Sequence, residues 1–528
     1  MLWADAIVEQ IKIRCADKLL AGKPIVIRDE KTLSGRVHIG SLRCVAIHGM
    51  IAEVLAEEKL PHTFLFEFND FDPMDGLPVY LDEKIFTPHM GKPLCDVPPP
   101  DNTAKNYAEY FGSEFAGVIK EIGYTPTHYR SSDLYRSGKY NEVIKISLEK
   151  AGVIREIYQR VSGAVKNPDW LPLSVRCESC GKIGSTQASD WNGVTVEYTC
   201  GDFVEWAKGC GKTGRVSPFD GKAKLPWKVE WAAKFTVLDV DVEGGGKDHS
   251  TRGGSRDIAD TISREVFKRE PPINIPYEFV QVGGAKMSSS KGAGASSREV
   301  ADLLPPEMVR TLLLQKEPQR TVEFKPDGDT VPILYDSYDR FAKNFWTGNT
   351  DDFARLFPFL QPPQLRKDFL EKRVLARFSN VAFLVQMPHL QLPDEIEKLE
   401  DVKLDKRDRE ELDRRAGCAK RWLSGYAPEN YKFEIQKTAP TGVKNFSVVQ
   451  KDALKSLLAY VEKQTTLDGQ LLHTELHEMK TRCGISPKEL FEAIYTSFLG
   501  KTSGPKAGWF LSVLDKQFLI QRLKEVTV

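Results

Sequence analysis

The sequence predicts an α/β protein, in which a parallel sheet is built in two separated pieces around a long cysteine-bearing insertion and is followed by an all-helical C-terminal half. Three observations carry that expectation. A strand, a glycine turn, an amphipathic helix and an aromatic strand follow one another between residues 25 and 68. Strand and helix signals of that kind resume only near Trp227. Beyond about residue 300, helical periodicity is the only regular signal left.

Ile25-Val26-Ile27 reads as a short buried strand, and the turn at His38 opens a helix. That helix places Leu42, Val45, Ala46, Met50, Ile51, Val54 and Leu55 at i, i+3, i+4 spacing. His62 to Phe68 is an aromatic strand ending in Asp70, Asp72 and Asp75. These acids read as a solvated turn or helix cap, with contact to a cationic substrate as the alternative. Strand, turn, helix and strand make one βαβ unit, whose ligands belong at the carboxyl ends of its strands. Residues 76–225 interrupt it with Pro98-Pro99-Pro100, helices near 104–123 and 140–161, and a cysteine cluster. Phe235-Thr236-Val237-Leu238 then reads as a strand leading to Gly244-Gly245-Gly246-Lys247-Asp248-His249. A helix near 256–268 follows, and a strand over 277–282 feeds a lysine-serine loop. Later helices are expected near 332–346, 366–388, 404–425, 446–464, 487–499 and 507–525, with breaks at Pro362-Pro363, Pro393 and Gly504-Pro505.

At 528 residues the chain has room for two to four domains, and 41% hydrophobic with 28% charged residues is ordinary globular composition. No apolar run approaches the ~20 residues that span a bilayer. The start, Met1-Leu2-Trp3-Ala4-Asp5-Ala6, lacks the basic-then-apolar form of a signal peptide. A cytoplasmic protein with no membrane partner is expected. Lys+Arg 74 against Asp+Glu 74 gives zero net charge, which a local basic face can coexist with. Of nine cysteines, Cys15, Cys44, Cys95, Cys418 and Cys483 are scattered. That odd total without an export signal argues against a disulfide framework.

Four segments carry chemistry. His38-Ile39-Gly40-Ser41 sits at a strand–helix junction, where backbone N–H groups face an anion; the alternative is a structural histidine. Lys286-Met287-Ser288-Ser289-Ser290-Lys291-Gly292 offers two ammonium groups and three hydroxyls to a polyphosphate, unless it is a solvated basic loop. Gly246-Lys247-Asp248-His249 follows a strand and is either a ligand contact or a polar surface turn. Cys177, Cys180, Cys200 and Cys210 have the paired form of a structural zinc site, with Gly181 and Gly211 permitting tight turns. Four thiolates would fill a tetrahedral metal and leave no catalytic position; the alternative is free thiols.

Taken as an ordered pair, the first two segments resemble the His-Ile-Gly-His and Lys-Met-Ser-Lys-Ser signatures of class I aminoacyl-tRNA synthetases. The chain as a whole resembles the class I lysyl-tRNA synthetases. The matches are Thr32-Leu33-Ser34-Gly35, Trp227-Lys228-Val229-Glu230-Trp231, Gly246-Lys247-Asp248-His249, Pro276-Tyr277-Glu278-Phe279, Tyr426-Ala427-Pro428-Glu429, and Gly500 with Gly504-Pro505. It departs at Ser41, at Ser289 with Lys291 two residues on, at Leu33 for proline, at Glu230 for aspartate and in the Cys200–Cys210 spacing.

The resemblance implies a split Rossmann-type nucleotide-binding domain with a zinc-containing insertion, followed by an all-α helix-bundle region. It implies catalysis by His38, Ser41, Lys286 and Lys291. It implies ATP contacts from His38, Gly40, Ser41, Gly246, Asp248, Lys286, Met287, Ser288 and Ser289. It implies a lysine pocket of Thr32, Trp227, His249 and Tyr277, and a zinc held by Cys177, Cys180, Cys200 and Cys210. Its substrates would be L-lysine, ATP with Mg2+ and tRNA(Lys), and its state a monomer. The divisions implied are 1–75 and 226–300 for the two catalytic halves, 76–225 for the insertion with its zinc part at about 170–225, 301–370 for a stem-contact linker and 371–528 for anticodon binding. Two alternatives stay open: a glutamyl- or arginyl-type class I synthetase, and a paralogue that binds tRNA or nucleotide without aminoacylating.

Overall fold

The computed structural model describes residues 1–283, 295–387 and 390–528. The chain gathers into two units, one of 1–324 with 337–371 and one of 325–336 with 372–528.

The first unit is organised by a sheet of five parallel strands. In chain order these are β1 (Ile25–Thr32), β2 (His62–Asn69), β3 (Thr127–Arg130), β4 (Val242–Gly246) and β5 (Ile273–Tyr277), laid side by side as β5-β4-β1-β2-β3. Helix α1 (Ile39–Glu57) connects β1 to β2 as expected. β1 and β2 pair along their full length from Ile25–His62 to Thr32–Asn69, whereas β1 and β4 pair only at Ile27–Val242. Beyond that pair the two strands part, at the point where chain order reverses across the sheet. A crevice at such a point is where open parallel sheets take their ligands.

Helix α1 has no polar face: its buried residues run almost unbroken from Leu42 to Ala52. Contrary to the expectation from apolar runs, this 19-residue helix is apolar enough to cross a bilayer by length and composition, but 78% of that window is buried inside the unit. A helix apolar all round is the signature of a core position as much as of a membrane.

Phe235–Leu238 is not a strand. It closes helix α2 (Trp227–Val237), where Val229 to Phe235 are all buried, so helical periodicity is erased and the segment imitates a buried strand. The true strand β4 is Val-Glu-Gly-Gly-Gly, with little β-propensity. Glycine is required there by packing, because a Cβ on Gly244 would lie 2.7 Å from the Ile275 carbonyl. Helix α3 (Ser255–Glu265) leads to β5, which stops at Tyr277. The expected strand over 277–282 is therefore two, and Val280–Val282 pairs instead with Val322–Phe324. That second short strand also lies beyond residue 300, where only helices were expected.

Strand β3 comes from inside the span expected as insertion, after the helix Tyr107–Glu121. The helix expected over 140–161 is two, Asn141–Glu149 and Ala151–Ser162, broken at Lys150. A small module follows, rooted by the antiparallel pair Ser174–Val175 with Ala223–Lys224 and built on three antiparallel strands, Thr186–Ser189, Val196–Cys200 and Thr213–Val216.

The second unit is helical. Lys406–Gly425, Val448–Lys463 and Pro487–Leu499 follow the expected spans, and each opens with a capping box, at Asp405, Ser447 and Ser486. The span 366–388 runs from the first unit into the second and holds two helices, Pro363–Phe369 in the first and Phe378–Leu384 in the second. The span 507–525 likewise breaks into Ala507–Ser512 and Lys516–Thr527, where Asp515 caps a new start. Helix Gly469–Cys483 was not foreseen. Leu454, Leu457, Val461, Leu476, Ile494, Phe498 and Leu523 fill the core between them.

Candidate active site

A cavity of about 210 Å³ lies where β1 and β4 part. Its walls are Asp29, Glu30, Lys31 and Thr32 from the end of β1, Glu243 to Gly246 from the end of β4, Ser41 and Cys44 from the first turns of α1, Trp227 and Trp231 from α2, His249 and Tyr277. Six residues expected from the sequence therefore meet around one space: Thr32, Ser41, Trp227, Gly246, His249 and Tyr277. Gly40 is in the first turn of α1, and His38 caps that helix with extended backbone. Asp248 belongs to the short turn Lys247–Ser250 and does not line the cavity. Lys286, Met287, Ser288, Ser289 and Lys291 lie outside the described residues. The chain just after them is described, and it is held at the His38 turn. Ser296 forms a β-bridge with His38, Ile39 N–H donates to the Ala295 carbonyl (3.2 Å), and Ser297 N–H donates to the Val37 carbonyl (2.8 Å).

One wall is aromatic. Trp227 stacks on Trp231 with ring centroids 5.8 Å apart, and His249 stands edge-on to both, at 5.4 and 6.0 Å. His48 braces the opposite side: its Nδ1 donates to the Cys44 carbonyl (2.9 Å) and its Nε2 accepts from the Gly244 N–H (2.8 Å). That pairing fixes one neutral tautomer and ties α1 to β4. Burial pushes the Tyr277 phenol well above its ordinary pKa.

The floor is a buried ionic network. Arg28 donates to Glu243 (2.6 Å), to Glu67 (2.6 Å), to Tyr129 (2.8 Å) and to Glu30. Lys234 meets Glu30 (2.6 Å), Glu67 (2.8 Å) and Glu230 (3.5 Å). Lys224 meets Glu230 (2.6 Å) and Asp72 (2.9 Å). Trp231 Nε1 donates to Glu243 (2.6 Å). Asp72 accepts from Thr32 Oγ1 (2.7 Å) and Asn69 Nδ2 (2.9 Å). Three cations thus face the five carboxylates of Glu30, Glu67, Asp72, Glu230 and Glu243, a formal charge of −2, and Asp29 and Lys31 cancel. Burial alone would neutralise Glu30, but Lys234 and Arg28 overcome it and hold its carboxyl well below the usual range. Burial wins at Glu243, whose carboxyl is raised against the pull of Arg28, and its Oε2 has no hydrogen-bond partner.

The acids after β2 do not form one solvated turn. Asp70 is buried and accepts from the N–H and hydroxyl of Ser132 (2.9 and 2.7 Å), and Asp72 is the tie between Thr32 and Lys224. Asp75 alone is exposed.

The family described as tRNA synthetases class I (K) matches residues 1–360 of this sequence. The chain belongs to that family. This class I synthetase is 33% identical to a lysine–tRNA ligase of Methanosarcina barkeri (strain Fusaro), over 99% of this chain and 97% of the relative. It is 33% identical to lysine–tRNA ligase 1 of Methanosarcina acetivorans over 100% and 98%. Among solved structures, a glutamate tRNA ligase from Elizabethkingia meningosepticum in complex with its amino acid aligns over 96% of this chain and 99% of its own, with 12% identity and TM-score 0.41.

The synthetase also brings its four clustered cysteines together. All four Sγ atoms lie within 4.8 Å of one another, with Cys177–Cys210 at 3.6 Å and Cys180–Cys200 at 3.7 Å. Four thiolates bound tetrahedrally to zinc at about 2.3 Å would sit about 3.8 Å apart, so the set fits such an ion. Gly181 and Gly211 take the positive φ their turns need, +74° and +78°. The Cys210 thiol is pulled down to about 6, first by a hydrogen bond from the Lys212 backbone.

Sequence reasoning missed the floor of the class I site: Asp29, Glu30, Lys31, Cys44 and Glu243 line the cavity unforeseen, and Trp231 entered only as part of a family match. One signal for them was present. Arg-Asp-Glu-Lys runs in the second half of a strand that begins Ile-Val-Ile, and charges in a central strand must be paired or functional.

Proposed function

We propose that the protein is a lysine–tRNA ligase, which joins lysine to ATP as lysyl-adenylate and passes the lysyl group to tRNA(Lys). The observation that carries the choice of amino acid is the cavity floor, which holds more acid than base and leaves Glu243 Oε2 free to accept an ammonium hydrogen. That the two Methanosarcina relatives are lysine–tRNA ligases supports the same reading. The aromatic wall of Trp227, Trp231 and Tyr277 suits an aliphatic stem ending in a cation. Thr32, fixed by Asp72, and His249 line the same pocket.

In this reading the sheet is a split Rossmann-type fold, and ATP enters as its Mg2+ complex with its phosphates at the start of α1. There Gly40 allows close approach and His38 and Ser41 face the α-phosphate. A lysine carboxylate oxygen attacks the α-phosphorus, the bond to the β-phosphate oxygen breaks, and pyrophosphate leaves. Lys286 and Lys291, with Met287, Ser288 and Ser289 between them, offer donors to the charge on the departing group. The bridge at Ser296 supports this for Lys291, since the five residue steps between them span at most about 17 Å. Asp248 and Gly246 would contact the ribose side. The 2′-hydroxyl of the terminal adenosine then attacks the lysyl carbonyl, and AMP leaves. Residues 76–225 would form the insertion between the catalytic halves 1–75 and 226–300. A structural zinc on its four cysteines would stabilise it, an assignment that zinc-free active protein would remove. Residues 301–370 would contact the acceptor stem and 371–528 the anticodon of a tRNA bound by a cytoplasmic monomer.

The deciding experiment is amino-acid-dependent ATP–pyrophosphate exchange across the twenty amino acids, with and without tRNA. Lysine is expected to lead; equal or better exchange with glutamate or arginine would replace the lysine assignment and keep the class.

A further inference from the structure

Among the described residues that wall the cavity, Lys31 is the only lysine or arginine. The acids of that wall are all answered. Glu30 and Glu243 meet Arg28, and Asp29 accepts from the Cys44 thiol (3.1 Å) and from the Glu30 N–H (2.8 Å). Lys31 is not answered: among the described residues no carboxylate pairs with it and no hydrogen bond holds its ammonium. Burial lowers that ammonium from its ordinary value, against the pull of Asp29 and Glu30.

The alternation of a strand decides which way Lys31 faces. Glu30 and Thr32 share the face of β1 that carries the floor, where they reach Lys234 (2.6 Å) and Asp72 (2.7 Å). Asp29 and Lys31 therefore share the other face, on which Asp29 touches Cys44 of α1. β1 runs toward its carboxyl end and α1 runs back from it. Lys31 is two residues beyond Asp29, about 6.6 Å along the strand, and one helical turn before Cys44 is about 5.4 Å away. Lys31 thus stands at the level of the first turn of α1, with Gly40 and Ser41. Ser41 also lines the cavity and brings a hydroxyl without charge, where the class I signature has a second histidine.

An unpaired ammonium withdrawn from water is costly. A helix start beside it adds cost, since its N–H groups repel a cation and attract an anion. Together the two favour an anionic oxygen between them.

We propose that Lys31 is a catalytic cation of this site, its ammonium donating to an oxygen of the ATP α-phosphate while the amino acid's carboxylate attacks. The assignment rests on the reading above and adds a residue to its chemistry. The carboxylate oxygen forms the new bond to phosphorus, the bond to the bridging oxygen breaks, and its electron pair leaves with pyrophosphate. No proton changes hands at Lys31, which meets the charge that gathers on the α-phosphate oxygens.

The test uses the full-length protein and two ligands that separate phosphate from carboxylate. One is L-lysine. The other is lysinyl-adenylate, the phosphodiester of lysinol and AMP, which carries the α-phosphate charge and has no carboxylate. Lys31→Met and Lys31→Gln are each expected to weaken lysinyl-adenylate ten-fold or more in calorimetry and to leave the Kd of L-lysine within two-fold. Each should also lower kcat/KM for ATP in lysine-dependent exchange, with tRNA present, by ~10²-fold, the scale of losing one preorganised donor. Lys31→Arg, which keeps the charge, should bind lysinyl-adenylate more tightly than either. Unchanged L-lysine binding shows that the variants are folded. Exchange within three-fold of wild type would overturn the proposal, and so would equal weakening of both ligands, which would make Lys31 a balance for the neighbouring acids. Weakening of L-lysine alone would overturn it in favour of a carboxylate contact. Failure of the wild-type protein to exchange with lysine would strike at the parent reading instead. Lys31 would then be tested with the corresponding pair of ligands for the amino acid that exchange selects.

Discussion

The sheet unit and the helical unit both bury charge, and they do so in different ways. In the helical unit, Arg415 donates to Glu411 (2.8 Å) and to the Ala376 carbonyl (2.9 Å), and Arg522 donates to the carbonyls of Ser497 and Gln436 (both 2.7 Å). Each of these guanidinium groups joins backbone carbonyl oxygen to a carboxylate on its own helix, Glu411 for Arg415 and Glu525 for Arg522. In the sheet unit, Lys224 and Lys234 answer to carboxylates, the carboxylates outnumber the cations, and the surplus faces a cavity. Buried ion pairs seldom add stability over apolar packing, yet breaking one is costly. The first arrangement therefore reads as structure, and the second as structure kept for a ligand.

The largest break should come at Lys234. Lys234→Met leaves Glu30, Glu67 and Glu230 without their shared cation and should cost the sheet unit about 3–5 kcal/mol. Urea unfolding followed by a sheet-unit probe measures this, and a cost near that of a surface lysine would show that the network relaxes freely. Next, Lys286→Ala should lower kcat for adenylate formation by ~10²-fold or more with little change in ATP KM, the scale of losing one preorganised donor. A change in KM alone would reduce the loop to a binding element. On the helical side, Leu457→Ala should cost about 3 kcal/mol of that unit's stability and leave lysine-dependent exchange intact; abolished exchange would show that the two units are not separable in this way.

Alkali should separate the units more gently. Lys234 is held well above its ordinary value by Glu230, Glu30 and Glu67 against burial. Its contribution is therefore complete below about pH 10.4 and is lost as pH rises through its raised value. Glu30 is depressed, so its share is present above about pH 4.3 and lost as pH falls through its lowered value. A guanidinium stays charged in proteins, so the arginine ties of the helical unit carry no comparable step. Melting curves above pH 10 should show the sheet unit weakening first, and simultaneous loss would dissolve the contrast. The smallest effect is expected at a cap: Ser486→Ala should cost the helical unit about 1 kcal/mol, seen as a small shift in its denaturation midpoint.

How much of this was legible follows the same division. The β1–α1–β2 unit could be read because its apolar positions keep the helical period and its turn residues stand at the junction. Thr32, Ser41, Trp227, His249 and Tyr277 could be placed by local motif alone. The span of α2 could not, since a helix buried on every side has no period to read, and β4 could not, since three glycines satisfy packing and not propensity. The floor stayed hidden for a further reason. A carboxylate in a strand looks like a fault until its partners are known, and those partners are up to 215 positions away, as in Arg28 with Glu243. The break at Val513–Asp515 was similarly masked, because the apolar spacing continues across it while the backbone restarts at a new cap.

One feature of the floor has a bearing on selectivity. Lys224 and Lys234 are lysine side chains held permanently beside the cavity, 3% and 1% exposed. They occupy Glu30, Glu67, Asp72 and Glu230, so the acid left open at the cavity is Glu243, and an arriving ammonium does not meet the whole set. A guest is left the few lone pairs its hosts do not use, and must bring its charge to that one place on a stem of the right length. In this sense the protein measures each amino acid against two fixed copies of the side chain it is proposed to select.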